Sequence, residues 1–322
     1  MGASTAPDPD LVARFKAALD RLNPGGGRIG LAVSGGPDSM AMLLLAQEAI
    51  PGAFEVATVD HGLRPEAKGE CALVVAVCEE RGVPCEVLTV EMGEGNVQAM
   101  AREARYRTLD EWAVTRFDAI ATAHHADDQV ETLIMRLNRA SGLRGLSAVR
   151  EINKTDLWNV RIIRPLLRFR RAELLAVVQD SGIEFVSDPS NENECFERVR
   201  VRKLLADVDF IDSVSWAQSA SHLAEADEAL NTALLFAWSQ YVTQEGDVYR
   251  LQAIGPRELT RRLAERCVAR LGGSARGSDL SAMLDRLRIG DQGNVGGVLI
   301  RYEEADAHRV LVFRPEPLRR TG

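Results

Sequence analysis

Ile29-Gly-Leu-Ala-Val33 runs into Ser34-Gly35-Gly36-Pro37-Asp38-Ser39, and that loop runs into Met40-Ala-Met-Leu-Leu-Leu-Ala46. The first run is apolar and short, as a buried strand is. The second reads as an apolar helix over Met40–Ala49. Between them lies a glycine-rich turn. Working outward, the alternation repeats. Strands are expected at Phe54–Val59, Val83–Val90 and Ala119–Ala123, and helices at Glu66–Arg81, Val97–Arg116 and Asp127–Asn138. Strands alternating with helices of this length specify βαβ units on a parallel sheet, and near-continuous apolar strands specify a sheet covered on both faces. The fold class is therefore α/β, a doubly wound parallel sheet.

The pattern changes farther along. An amphipathic helix, Asp10–Leu22, precedes the first strand. Residues Ser141–Arg164 read as loop and short strands, followed by helices at Arg170–Ser181 and Asn193–Leu205. A long helix, Ser213–Tyr241, then opens a smaller, mainly helical α+β segment. In it, helices at Pro256–Leu271 and Ser278–Leu287 are mixed with strands at Val248–Leu251, Gly297–Tyr302 and Val310–Arg314. A boundary near Asp209–Ser213 divides the chain into domains 1–212 and 213–322.

The 322 residues are 46% apolar and 27% charged, the balance of a globular protein. No stretch approaches the ~20 apolar residues that span a bilayer. The first residues lack the cationic start and apolar core of a secretory signal, so a cytoplasmic location is expected. The five cysteines contain no C-x-x-C pair, which points to free thiols and not to a zinc or iron–sulfur site. The net charge is −8, and the basic set is 35 Arg with only 4 Lys. Residues 1–150 hold 15 basic against 21 acidic side chains, and 213–322 hold 14 of each. A uniform basic coat for nucleic acid is excluded. Discrete arginine clusters remain, among them Arg257, Arg261, Arg262, Arg266 and Arg270.

The loop Ser34–Ser39 falls at the carboxyl edge of the sheet, where α/β proteins bind ligands. Adjacent glycines let backbone N–H groups converge on an anion, the helix N-terminus adds positive potential, and the two serines can donate to phosphate oxygens. Asp38 would repel a bare phosphate, so its presence implies a bridging Mg²⁺. The loop has neither the G-K-[ST] of a Walker A motif nor a G-x-G-x-x-G fingerprint. His124-His125-Ala126-Asp127-Asp128 follows the fourth strand and reaches the same edge. Its spacing is not that of an H-E-x-x-H metal hydrolase.

Ser34–Ser39 resembles the pyrophosphatase loop of the N-type ATP pyrophosphatases, or PP-loop family. Val59–Ala67, Glu94–Leu109, Ala121–Val149, Ile162–Leu167 and Asp188–Leu205 narrow the resemblance to the tRNA(Ile)-lysidine synthetases, in their short form. The resemblance is strong over about residues 29–205 and weaker beyond.

The resemblance implies ATP and Mg²⁺ as cofactors, and as partners free lysine and a tRNA(Ile) with a CAU anticodon. A carbon–nitrogen ligase would join lysine to C2 of the wobble cytidine through an adenylated intermediate. The implied catalytic residues are Asp38, Asp128 and Arg105. The nucleotide would be held by Ser34, Gly35, Gly36, Pro37, Asp38, Ser39 and His61, Mg²⁺ by Asp38 and Asp128, and the tRNA by Arg164, Arg198 and Arg202. Arg102 and Tyr106 match the same A-R-x-x-R-Y pattern as Arg105. Glu131 lies one helical turn beyond Asp127 and Asp128. The chain departs from the family at Val199, which stands where an Asn is usual. A PP-loop tRNA thiolase is the alternative enzyme, weighed against by the missing C-x-x-C pair. An ATP-binding module on a tRNA-binding protein is the non-enzymatic one. A monomer and a homodimer fit equally.

Overall fold

A computed structural model describes residues 6–60, 62, 66–90, 97–153, 159–186, 195–253, 255–275, 277–305 and 308–317. The chain divides into two units, Met1–Ala224 and Glu225–Gly322. The division falls inside a long helix, beyond the change in sequence character at Asp209–Ser213.

The first unit contains helices α1 (Pro9–Leu22), α2 (Pro37–Ala49), α3 (Glu66–Glu80), α4 (Val97–Ala113), α5 (Ala126–Asn138), α6 (Leu143–Leu146), α7 (Arg171–Ser181), α8 (Glu197–Ala206) and the start of α9 (Ser213–Tyr241). Its strands are β1 (Ile29–Ala32), β2 (Phe54–Asp60), β3 (Cys85–Thr89), β4 (Ala119–Ala121), β5 (Ile152–Asn153) and β6 (Arg161–Ile163). They form one sheet in the order β3-β2-β1-β4-β6-β5. Every pairing is parallel except the edge pair β5–β6. From β1 the chain order runs outward to β2 and β3 on one side and to β4 and β6 on the other. The carboxyl ends of β1 and β4 therefore flank a topological switch point, where the loops diverge and leave a crevice.

Period-two alternation sends residues of each strand to opposite faces. Ile29, Leu31 and Val33 join the core that contains α1, α2 and α7, whereas Ala57 and Ile120 join the core built around Leu109, Trp112 and Phe117. Helix α2 is buried at every position from Met40 to Ala46. It packs against both α1 and α7 as well as the sheet, which is why its sequence carries no polar face. Gly30 serves the other face. A Cβ there would stand 2.4 Å from Trp112 Cζ3, so the glycine lets α4 settle directly on the sheet. That close approach brings Leu109 and Arg105, both on α4, to the crevice.

The second unit holds the rest of α9, helices α10 (Arg257–Arg270) and α11 (Gly277–Arg286), and strands β7 (Val242–Glu245), β8 (Val248–Gln252), β9 (Gln292–Val295), β10 (Val298–Ala305) and β11 (His308–Pro315). These make an antiparallel sheet in the order β7-β8-β11-β10-β9. Leu251, Ile300 and Phe313 pack with Leu263, Cys267 and Leu280 of the helices. None of the five cysteines is disulfide-bonded, and no helix among the described residues is long and apolar enough to cross a membrane.

Candidate functional site

The crevice beyond β1 and β4 is an open cavity of about 210 Å³. One wall is apolar and built largely of small side chains: Ala32 from β1, Ala57 and Val59 from β2, and Leu109 from α4. The other wall is polar. The β1–α2 loop contributes Ser34, Gly36, Asp38 and Ser39; the β4–α5 segment contributes Thr122, His124 and Asp128; Arg105 and Arg198 reach in from α4 and α8.

The phosphate loop is held by its own serines. Ser39 Oγ donates to Gly36 O (2.9 Å) and accepts from the Ser34 N–H (3.1 Å). Gly35 takes a φ of +81°, open to glycine at no steric cost, and its carbonyl accepts from Val186 N–H (2.8 Å). Gly36 caps α2 without any side-chain hydrogen bond. Pro37 has no N–H, so the first free donors of that helix belong to Asp38 and Ser39, which line the cavity at the positive end of the dipole.

A single histidine ties the two loops together. His125 is 2% exposed. Its Nε2 lies 3.5 Å from Asp38 Oδ2 and 3.6 Å from Asp128 Oδ2, and its Nδ1 lies 3.6 Å from Asp127 Oδ2. These are ion-pair distances, longer than good hydrogen bonds. Burial alone favours the neutral ring, but Asp127, Asp128 and Asp38 outweigh it and push the imidazole up to about 10. The ring stands among three carboxylates, and its Nδ1 also lies 3.4 Å from the Asp128 N–H at the start of α5.

Those carboxylates have different surroundings. Asp127 Oδ2 accepts the N–H of Arg171 at the start of α7 (2.7 Å), and its Oδ1 accepts from Ser213 Oγ (3.0 Å). Burial works against its ionisation, and His125 with these donors outweighs that, holding it well below the usual carboxylate range. Asp128 instead lines the cavity. Burial opposes its charge too, but His125, His124 and Arg198 keep it ionised. Asp38 Oδ1 is buried and has no hydrogen-bond partner among the described residues. Arg105 Nε, also in the cavity wall, is buried and unpartnered in the same way. A polar atom buried without a partner is costly, so each of these two marks a place that a ligand would complete.

The PP-loop domain family matches residues 7–208. The tRNA(Ile)-lysidine synthase of Novosphingobium aromaticivorans is 46% identical over 309 residues, covering 92% of this chain and 94% of that protein. That of Zymomonas mobilis is 40% identical over 278 residues, covering 83% and 84%. The chain belongs to the tRNA(Ile)-lysidine synthase family. Among solved structures, the U34-tRNA thiolase NcsA from Methanococcus maripaludis shares the fold, with a TM-score of 0.55 at 16% identity over 67% of this chain and 79% of that one.

In this member of the tRNA(Ile)-lysidine synthase family the expected site residues fall into three groups. Ser34, Gly36, Asp38, Ser39, Arg105, Asp128 and Arg198 line one cavity. Gly35 and Pro37 complete its loop and the first turn of α2. His61, the side chain of Arg102 and residues 187–194 lie outside the described residues. Two arginines expected to face tRNA are engaged with groups of the protein itself. Arg164 is buried, and its Nη1 donates to Arg150 O (2.7 Å). Arg202 donates from Nε and Nη2 to the buried carboxylate of Glu131 (2.6 and 3.2 Å). Arg164 holds together the segment between residues 150 and 164, and Arg202 joins α8 to α5. Val199, at the position of the usual Asn, is buried. In the sequence His125 is only half of a histidine pair. Its place at the N-cap of α5, with Asp128 three residues on, is the signal the sequence offers.

Proposed function

We infer that the chain joins the ε-amine of free lysine to C2 of the wobble cytidine in a tRNA(Ile) with a CAU anticodon, using ATP and releasing AMP and pyrophosphate. The observation that carries this reading is the convergence of Asp38 and Asp128, from two different loops, on one cleft with an uncapped helix N-terminus. The chain's extensive identity to tRNA(Ile)-lysidine synthases supports it.

The flat apolar wall of Ala32, Ala57, Val59 and Leu109 suits a purine ring. The triphosphate then lies along Ser34–Ser39, with the α2 N-terminus and Arg105 supplying fixed donors where charge accumulates. Asp38 and Asp128 would hold Mg²⁺, since the unbonded Asp38 Oδ1 and the ionised Asp128 carboxylate fit an oxygen-seeking cation. Among the described residues no three His, Cys, Asp or Glu side chains form a metal group by themselves, so phosphate oxygens would complete the shell. When bound, the ion neutralises the charge shared by carboxylate and phosphate.

The chemistry takes two displacements. Cytidine O2 attacks the α-phosphorus, and the bond to pyrophosphate breaks. The lysine ammonium gives one proton to solvent; the free amine attacks C2, the C2–O bond breaks and AMP leaves with that bond's electron pair. Asp128, kept below the usual carboxylate range, is a weak base and a good anchor, so its part is to orient the ammonium group as it enters. Arg198, half-exposed beside Asp128, faces the same space. The second unit contributes tRNA contacts through separate arginines, in keeping with its balanced charge.

Mass spectrometry of the wobble nucleoside after incubation with ATP and lysine tests this reading. Lysidine is expected only when tRNA(Ile), ATP and lysine are all present. A thiolated nucleoside formed with a sulfur donor, or no change at all, would overturn it.

A further inference from the structure

The second unit contains a cavity of about 770 Å³ between α10, α11, β10 and β11. That size lies within the ~300–1,000 Å³ of pockets that take small organic ligands. Its floor is formed by Leu284, Leu287, Leu311 and the ring of Tyr302; Ile289, 51% exposed, stands at its edge. Among the described residues four arginines (Arg257, Arg261, Arg288 and Arg309) and one acid, Asp285, line it. Arg257 and Arg261 are paired with carboxylates, so the positive excess of this concave face rests on Arg288 and Arg309.

Hydrogen bonding sorts the arginines. Arg262 and Arg266, which the sequence groups with Arg257, are used inside the fold. Arg262 pairs with Asp227, and Arg266 lies over the Trp238 ring at 4.9 Å. Arg261 is held by Glu258 and Glu265. Arg257 pairs with Asp285 but is 69% exposed, and Arg288 donates to the Asp285 and Leu287 carbonyls. Arg309 is exposed, and α10 starts at the cavity with no side-chain cap. Exposed guanidinium groups and an uncapped helix end around an apolar, aromatic floor fit a ligand with a flat body and an anionic backbone. RNA is read in that way, by stacking unstacked bases on aromatic side chains while arginines take the phosphates.

We propose that this pocket holds one unstacked nucleotide of the bound tRNA, its base against Tyr302, Leu284 and Leu311 and its flanking phosphates on Arg257, Arg288 and Arg309. The proposal rests on the reading of the chain as a tRNA-modifying enzyme. It assigns to the second unit a specific grip and not a diffuse charged surface.

The test uses the full chain with Arg309→Ala and Ile289→Glu, both at exposed positions where folding is expected to survive. Filter binding of tRNA(Ile) at several salt concentrations is the readout, alongside lysine incorporation. Arg309→Ala is expected to weaken tRNA binding about fivefold and to lower the salt slope by about one. Ile289→Glu, which puts a carboxylate at the edge of the floor, is expected to weaken it about tenfold. The KM for ATP stays unchanged in both. Ultraviolet cross-linking should yield a peptide containing Tyr302 that carries a nucleotide. Wild-type tRNA affinity in both variants overturns the pocket assignment while lysine incorporation by the wild type continues. Cross-links confined to other peptides do the same. Absence of incorporation by the wild type instead overturns the functional reading, so the two failures are distinguishable.

Discussion

Asp38 in the first unit and Asp227 in the second are both carboxylates drawn into the protein, and the fold treats them in opposite ways. Asp227 is fully buried and meets the guanidinium of Arg262 at 2.5 Å; Arg262 in turn holds Glu258 and Asn231, each at 2.7 Å. Asp38 has the His125 ring 3.5 Å from one oxygen, and its other oxygen is buried and unbonded. A completed network fixes structure. An acceptor left open inside the protein lowers stability, and it persists where something from outside completes it. The difference separates an acid that builds the fold from an acid reserved for chemistry.

The sharpest way to break this comparison is to remove each acid. Asp38→Ala is expected to lower pyrophosphate release about 10³-fold or more, since it removes a metal-directed carboxylate. Its thermal midpoint should hold or rise, and tRNA affinity should stay within about twofold. A comparable loss of tRNA binding would make Asp38 a structural residue. Asp227→Ala should do the reverse, costing about 1.5–3 kcal/mol in denaturant unfolding because Arg262 loses its fully buried partner and keeps only Glu258 and Asn231. Replacing both partners, Asp227→Leu with Arg262→Met, should recover part of that loss. If the double variant is no more stable than the single one, the pair is not the unit that matters.

The same contrast recurs between neighbours on α5. Asp127 is bonded to the α7 backbone and to Ser213, whereas Asp128 lines the cavity. Asp128→Asn is expected to slow lysine transfer about 10²-fold with little change in stability. Asp127→Asn should lower stability by about 1–3 kcal/mol and leave the chemical rate within several-fold. Single-turnover transfer and urea unfolding, measured on both variants, separate the two. Equal effects on one observable would erase the distinction.

The contrast also shows what a sequence can and cannot disclose. The strands beside the switch point are apolar runs, and the loop between β1 and α2 has a composition only a few structures need, so the cleft could be found from residues alone. The strands β7 and β9 could not. They are short edge elements of mixed polarity, such as Gln292-Gly-Asn-Val295, which carry almost no periodic signal. Arginines are harder still. Arg202 lies beside Glu131, 71 positions away in the chain, and Arg164 beside the Arg150 carbonyl. Nothing local tells a guanidinium paired within the protein from one offered to RNA. The role of His125 depends likewise on Asp38, which only the sheet topology brings near.

The gentlest probe of the comparison is pH, applied to the network around Arg262. Glu258 is bonded to Arg261 first, with burial acting against its charge and Arg262 adding to its stabilisation; the balance pulls its carboxyl down to about 2. A carboxylate lowered on folding contributes stability above its unfolded value of about 4.3 and loses it as pH falls towards its folded value. The wild type should therefore lose stability between about pH 4.5 and pH 2 faster than Glu258→Gln, with urea midpoints at about pH 7 and pH 3 as the measurement. The side chain is 40% exposed, so screening by solvent keeps the effect small, and added salt should shrink it further. Parallel pH dependences in the two proteins would remove Glu258 from the network and leave Asp227 as the acid that holds Arg262.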